Sequence, residues 1–264
     1  MDYDDAYANA AYIPNAADYP GRWQRCAASF RDNMRLAGQA HLDVAYSVGM
    51  RAKLDIFMPP QTPCGILIFV HGGYWLKFDK SYWSHLAAGP VARGWAVAIP
   101  SYDLCPNVRI AQITQQILQA VTHIADRIAG PVVLGGHSAG GHLVARMLAP
   151  EIFDAPLARR IKRVVTVSPV ADLRPLLHTA MNAELQLDAA QAVAESPVLQ
   201  GQPSAPVTVW VGELERPAFL AQARGLATAW QAALVISPEQ HHFNVIEDLA
   251  LVDSGLTNAM LTVE

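Results

Sequence analysis

The string Gly136-His137-Ser138-Ala139-Gly140 has the form Gly-x-Ser-x-Gly. A serine hydroxyl becomes an acyl-group nucleophile only when a base takes its proton and donors meet the oxyanion that forms. The string alone is weak, but its placement is informative. It follows an apolar run at 131–135 and precedes a helix-like run at 142–149, so strand, sharp turn and helix are predicted. Such a turn strains the serine backbone, needs glycine at its flanks, and sets the hydroxyl at the positive end of a helix. Ser138 is therefore the candidate nucleophile.

Upstream, His71-Gly72-Gly73-Tyr74-Trp75 follows the apolar run 66–70. Glycines there let the backbone curl so that successive N–H groups face one point. The amides of Gly73 and Tyr74, with that of Ala139, would form an oxyanion hole whose donors each contribute about 2.7–4 kcal/mol to the transition state. His71 is expected to order this loop by hydrogen bonding.

The serine still needs a histidine, and the histidine a carboxylate to fix its tautomer. In a fold of this kind they follow later strands, in the order Ser, acid, His. The run 207–211 ends in Gly212-Glu213-Leu214-Glu215, and the run 234–237 is followed by Pro238-Glu239-Gln240-His241-His242-Phe243. Glu215 is preferred because it has room to turn toward a histidine loop, with Glu213 and Asp172 as alternatives. His242 is preferred over His241. His123 falls inside a helical period, His137 is read as pointing away, and His41, His85 and His178 lie outside the expected loop.

The elements that must position these residues are legible as periodicities. Residues 1–40 read as an irregular, aromatic-dotted arm (Tyr3, Tyr7, Tyr12, Tyr19, Trp23) leading into a helix near 27–37. Runs 42–48 and 52–58 alternate in part around Gly49, as in an antiparallel hairpin. Short apolar runs then follow at 65–70, 95–100, 131–135, 163–167, 207–211 and 234–237, the signature of a parallel sheet with crossover helices. Between them, Ile110, Ile113, Ile117, Val121, Ile124 and Ile128 recur at helical spacing, with Gly130 closing the segment, and Phe219, Ala223, Leu226 and Trp230 do the same. Residues 171–200 are too long for a simple connection and are expected to form a small helical cap. No repeat or linker divides the chain, so residues 1–264 read as a single α/β domain.

The 264 residues are 52% apolar and 16% charged, with 19 Lys+Arg against 23 Asp+Glu and a net charge of −4. Such a chain buries a large core and carries no electrostatic footprint for nucleic acid or an anionic membrane. A small-molecule ester or amide is the expected partner. Cys26, Cys64 and Cys105 are an odd, widely spaced set, which argues against a disulfide framework or a zinc ribbon. The first twenty residues carry four Asp where a secretory leader would be basic and apolar, so a cytoplasmic protein is expected. Tyr74, Trp75, Tyr102 and Phe243 fall in loops at one edge and could line an aromatic pocket. The arm could cover its mouth, or pack on a second subunit in a homodimer.

From residue 40 onward the chain resembles the α/β-hydrolases, and within them the arylformamidase (kynurenine formamidase) and esterase group. The shared strings are His71-Gly72-Gly73-Tyr74-Trp75, Ser101-Tyr102-Asp103-Leu104-Cys105-Pro106, Gly136-His137-Ser138-Ala139-Gly140-Gly141-His142-Leu143 and His242-Phe243-Asn244-Val245-Ile246-Glu247-Asp248-Leu249. The resemblance implies an α/β-hydrolase fold with Ser138 as nucleophile and His242 as base. It implies an acid three residues after Gly212, which is Glu215 where the family usually has Asp. It further implies hydrolysis of N-formylkynurenine to formate and kynurenine, without metal or cofactor. Relatives with the same motifs act as general esterases, so a short-chain carboxylesterase or thioesterase is the alternative, and a non-catalytic ligand-binding relative the third reading.

Overall fold

The computed structural model describes residues 2–150 and 152–263. Eight strands among them, β1 (Ala40–Ala45), β2 (Lys53–Phe57), β3 (Ile66–Val70), β4 (Ala96–Pro100), β5 (Val132–His137), β6 (Ile161–Val167), β7 (Val207–Gly212) and β8 (Ala233–Ser237), form one sheet in the order β1-β2-β4-β3-β5-β6-β7-β8. Strand β2 runs antiparallel to β1 and β4, and every other neighbouring pair is parallel. This is the hairpin followed by a parallel sheet that the short apolar runs predict.

The helices are α1 (Tyr3–Ala6), α2 (Tyr19–Leu36), α3 (Ala88–Ala92), α4 (Ile110–Ala125), α5 (Ala139–Arg146), α6 (Ala155–Arg160), α7 (Asn182–Leu185), α8 (Ala189–Ala194), α9 (Pro217–Trp230) and α10 (Gly255–Leu261). Two cores sandwich the sheet, and the period-two alternation of the strands feeds both. Ile66, Ile68 and Val70 of β3 join the core made with α4, α5 and α9. Leu67 and Phe69 join the opposite one, with Trp23 of α2, Val91 of α3 and Met260 of α10. Because both faces are covered, the central strands read as unbroken apolar runs. On α4, Ile110, Ile113, Ile117, Val121 and Ile124 are each at most 1% exposed, and burying each contributes about 1.5–3 kcal/mol.

The main departure from the sequence expectation is α2, which starts eight residues before the predicted helix at 27–37. Pro20 lies in its first turn, where a missing N–H costs nothing, and its buried stripe is only Trp23, Ala27 and Met34. So sparse a stripe gives little periodicity to read. Strand β1 likewise ends at Ala45, because Tyr46 N–H donates to the Ala52 carbonyl and turns the chain.

Residues 171–200 hold a 3-10 turn (Arg174–His178), α7, α8 and a second 3-10 turn (Pro197–Leu199). Glu195 fastens this stretch to the sheet's helices. Its carboxylate accepts from Thr114 Oγ1 of α4 at 2.8 Å and from Arg146 Nε of α5 at 3.0 Å, and its carbonyl accepts from His142 Nε2 at 2.7 Å. Burial alone would raise the Glu195 carboxyl, but Arg146 and His142 outweigh it and hold it below the usual range. Among the described residues no helix is long and apolar enough to cross a membrane.

Candidate active site

The carboxyl ends of β3, β5, β6, β7 and β8 carry the candidate serine, histidine, acid and N–H donors, at the edge where open parallel sheets bind their ligands. Strand β5 ends at His137, and α5 begins at Ala139. Between them Ser138 has φ 56° and ψ −116°, a strained conformation that costs about 1–3 kcal/mol. Its N–H donates to the Val167 carbonyl at 2.8 Å, and its own carbonyl accepts from His142 N–H at 3.0 Å. Both flanking glycines are required by close approach. A Cβ on Gly136 would lie 2.2 Å from the Gly140 carbonyl oxygen, and one on Gly140 would lie 2.0 Å from that of Val70. The Ser138 hydroxyl is not committed to a hydrogen bond among the described residues, although the residue is only 2% exposed.

The loop after β3 packs directly on this turn. A Cβ on Gly72 would stand 3.0 Å from Ser138 Cβ. Gly73, Tyr74 and Trp75 have φ of 113°, 52° and 59°, so three successive residues are left-handed. Among the described residues no carbonyl accepts from the N–H of Gly73, Tyr74 or Ala139. Three donors next to the serine are thus unspent, as an oxyanion hole requires. His71 is fully buried, its Nδ1–H donates to the Gly72 carbonyl at 2.7 Å, and its ring stacks on Tyr102 at 4.4 Å. Burial pushes its pKa down to about 4, so it stays neutral and orders the loop.

From the loop after β8, His242 turns its Nδ1 to Glu215 Oε2 at 2.7 Å, with both side chains at most 5% exposed. The other oxygen, Oε1, accepts from Gly212 N–H at 3.0 Å and from the Ser168 hydroxyl. Ser168 ends the β6 edge with φ 50°. Phe219 of α9 lies 4.3 Å from the His242 ring, and His137 lies 4.7 Å from it on another side. Gly212 permits the approach of the two loops, since a Cβ there would meet the Gln240 carbonyl at 2.2 Å.

The alternatives weighed from sequence are occupied elsewhere. Glu213 accepts from the Glu239 N–H at 3.1 Å, and Asp172 pairs with Arg174 at 2.7 Å. His241 Nδ1 accepts from the backbone N–H groups of Phe243 and Asn244, so its Nε2–H donates to the Tyr19 hydroxyl at 3.0 Å. It shapes the turn that carries His242.

Three aromatic residues expected to line a pocket do not. Trp75 and Tyr102 have no exposed surface; Trp75 packs edge-on against His142, and Tyr102 supports His71. Phe243 packs against Tyr19 and Trp23, each at 5.4 Å, in the core behind the histidine. Trp75 and Tyr102 are part of one core, and Phe243 is half-buried against the other. Conversely, His137 does not point away. Its Nε2 donates to the His242 carbonyl at 2.9 Å, and burial, with His242 adding to it, holds its pKa well below the ordinary value. Ser168 and His137 are the supporting residues that sequence reading missed.

The Alpha/beta hydrolase family model matches residues 67–255. The crystal structure of a provisionally assigned thioesterase from Silicibacter sp. TM1040 is 57% identical, superposes with a TM-score of 0.97, and covers 99% of this chain and 100% of its own. The kynurenine formamidases of Salmo salar and Danio rerio are each 29% identical, with 87% of this chain and 84% of theirs aligned.

Proposed function

The chain belongs to the α/β hydrolase family and is an esterase-like hydrolase; within that family we propose that it is a serine hydrolase, cleaving a small ester or aryl formamide through an acyl-enzyme. The observation that carries the reading is the buried 2.7 Å contact of His242 Nδ1 with Glu215 beside the strained Ser138 turn. The carboxylate fixes Nδ1 as the protonated nitrogen and leaves Nε2 as base. Ser138 Oγ attacks the acyl carbon while His242 Nε2 takes its proton. The N–H groups of Gly73, Tyr74 and Ala139 hold the tetrahedral oxyanion. Its collapse breaks the bond to the leaving alcohol or aniline, which receives the proton from His242. Water, deprotonated by His242, then attacks the serine ester and releases the acid. We read residues 1–264 as one catalytic unit in a cytoplasmic setting, with an arm at 1–40 and a cap at about 171–200.

Alignment with two kynurenine formamidases over most of the chain supports N-formylkynurenine as substrate, giving formate and kynurenine. The 57% identity to the provisionally assigned thioesterase supports a second reading, hydrolysis of a short acyl thioester. Steady-state turnover of N-formylkynurenine, p-nitrophenyl acetate and acetyl-CoA separates them. The formamide should give the highest kcat/KM; turnover of the esters without it removes the formamidase assignment. A fluorophosphonate should label the wild type and spare Ser138→Ala. Equal labelling of the two proteins would end the serine-nucleophile reading.

A further inference from the structure

The proposed oxyanion loop rests on two consecutive non-glycine residues in the left-handed region, Tyr74 and Trp75. Each costs about 1–3 kcal/mol and persists only when its surroundings impose it. Trp75 is held by its neighbours: its ring is buried against His142, and its carbonyl accepts from Cys105 N–H at 2.8 Å. Tyr74 is held from a different direction. Its phenol donates to the Tyr7 carbonyl at 2.7 Å and accepts from Asn9 Nδ2 at 3.3 Å. Both partners belong to the N-terminal arm, more than sixty residues away in sequence.

The arm is anchored well enough to serve as a fixed point. The Tyr7 ring packs edge-on against Phe219, and its hydroxyl accepts from Gln222 Nε2 at 2.7 Å. Asp5 pairs with Arg216 at 2.6 Å, whose guanidinium lies 3.5 Å over the Tyr12 ring, and the Asp4 carboxylate accepts from Ala180 N–H at 2.6 Å. Asn9 is 6% exposed, and its Oδ1 has no partner among the described residues. A buried amide held there at that expense is placed for its Nδ2. Burial raises the Tyr74 phenol well above its ordinary range, so it remains a donor at any working pH.

We infer that the N-terminal arm is part of the oxyanion site, with the Tyr74 phenol, clamped between the Tyr7 carbonyl and Asn9, as the positioning group that keeps the Gly73 and Tyr74 N–H groups converged. The inference rests on the acyl-enzyme reading above. A clamp that sets donor geometry acts on the transition state more than on bound substrate, so its loss lowers kcat and spares KM.

The test is steady-state kinetics of Tyr74→Phe on p-nitrophenyl acetate and p-nitrophenyl butyrate, with thermal unfolding and fluorophosphonate labelling of the wild type as controls. The phenylalanine keeps the ring and removes only the clamp. The expected result is a fall in kcat of about tenfold, equal for both esters, with KM within about twofold. A kcat unchanged within about twofold overturns the inference, as does a loss confined to KM that grows with acyl length, the signature of a cover. Should Tyr74→Phe not fold, Asn9→Ala decides, with an expected kcat loss of about two- to threefold in the same pattern. An unlabelled, inactive wild type overturns the acyl-enzyme reading and this one together; an active wild type with an unaltered Tyr74→Phe overturns this one alone.

Discussion

Replacing Glu215 by Gln removes a charge while keeping the shape, and the surrounding donors dictate the outcome. Oε1 faces the Gly212 N–H at 3.0 Å, a donor that cannot reverse, and the Ser168 hydroxyl. The glutamine carbonyl therefore takes that side, and its NH2 faces His242 Nδ1. Two donors cannot share a 2.7 Å contact, so the imidazole moves its proton to Nε2 and ceases to be a base for Ser138. The wrong tautomer is worth about 10⁴ in kcat, or about 5 kcal/mol, with KM little changed. Glu215→Asp keeps the charge but withdraws the carboxylate by about 1.5 Å. It cannot reach His242 while still accepting from Gly212 and Ser168, and an intermediate loss of roughly 10- to 100-fold follows. Hydrolysis of p-nitrophenyl acetate and the rate of fluorophosphonate labelling measure both. Glu213→Gln, whose carboxylate meets the exposed Glu239 N–H, should stay within about twofold of wild type. A Glu215→Gln enzyme within tenfold of wild type, or an equal loss in Glu213→Gln, refutes the reasoning.

Two further outcomes concern stability. Gly140→Ala puts a carbon 2.0 Å from the Val70 carbonyl oxygen, fixed at the end of β3, and 2.6 Å from that of His71, which accepts from the Tyr102 hydroxyl. Calorimetry should show a Tm lowered by roughly 5–15 °C, against almost no change for Gly201→Ala, where nothing lies within 4 Å; equal Tm values would refute the packing argument. Burial lowers the pKa values of His71, His85 and His142 to about 4. The unfolded chain therefore binds these protons first, below about pH 6.5. Stability is full above that pH and falls toward pH 4, by up to about 1.4 kcal/mol per pH unit for each histidine. Denaturant midpoints at pH 7.5, 6 and 5 should decline steadily, and a flat profile would contradict their buried neutral state.

The parallel sheet was readable because strands covered on both faces carry apolar residues without interruption, and α4 because five buried residues repeat on one face. What failed was the helix whose buried face is sparse: α2 buries only Trp23, Ala27 and Met34, with Trp23 packed on the loop aromatics Phe78, Trp83 and Phe243 and Phe30 meeting Phe57 of β2. The pairing of His242 with Glu215 was legible to the level of a preference, since strand-end carboxylates and histidines are few. Choosing among neighbours needs the direction in which each side chain leaves the backbone. That direction sends Glu213 and His241 to solvent and to the turn, and it sends Trp75, Tyr102 and Phe243 inward.

The side-chain contacts that escaped notice share a physical property. Ser168 reaches Glu215 across 47 positions, Tyr74 reaches Tyr7 across 67, and His137 reaches the His242 carbonyl across 105. None has a local signature, because a hydroxyl or imidazole that braces a distant group needs no particular neighbours in sequence. The oxyanion loop and the serine turn are different. They bring carbonyl oxygens within 3 Å of where a Cβ would stand at 72, 136 and 140, and only glycine meets that need, while the left-handed backbone falls on Gly73, Tyr74, Trp75 and Ser138. Glycine spacing therefore exposes where acyl chemistry could occur, while the side chains that make it efficient are specified by the sheet that brings β6, β7, β8 and the arm together. The arm, read in sequence as a cover for the mouth or a contact with a second subunit, is tied to the loop after β3 by the Tyr74 hydrogen bonds to the Tyr7 carbonyl and Asn9.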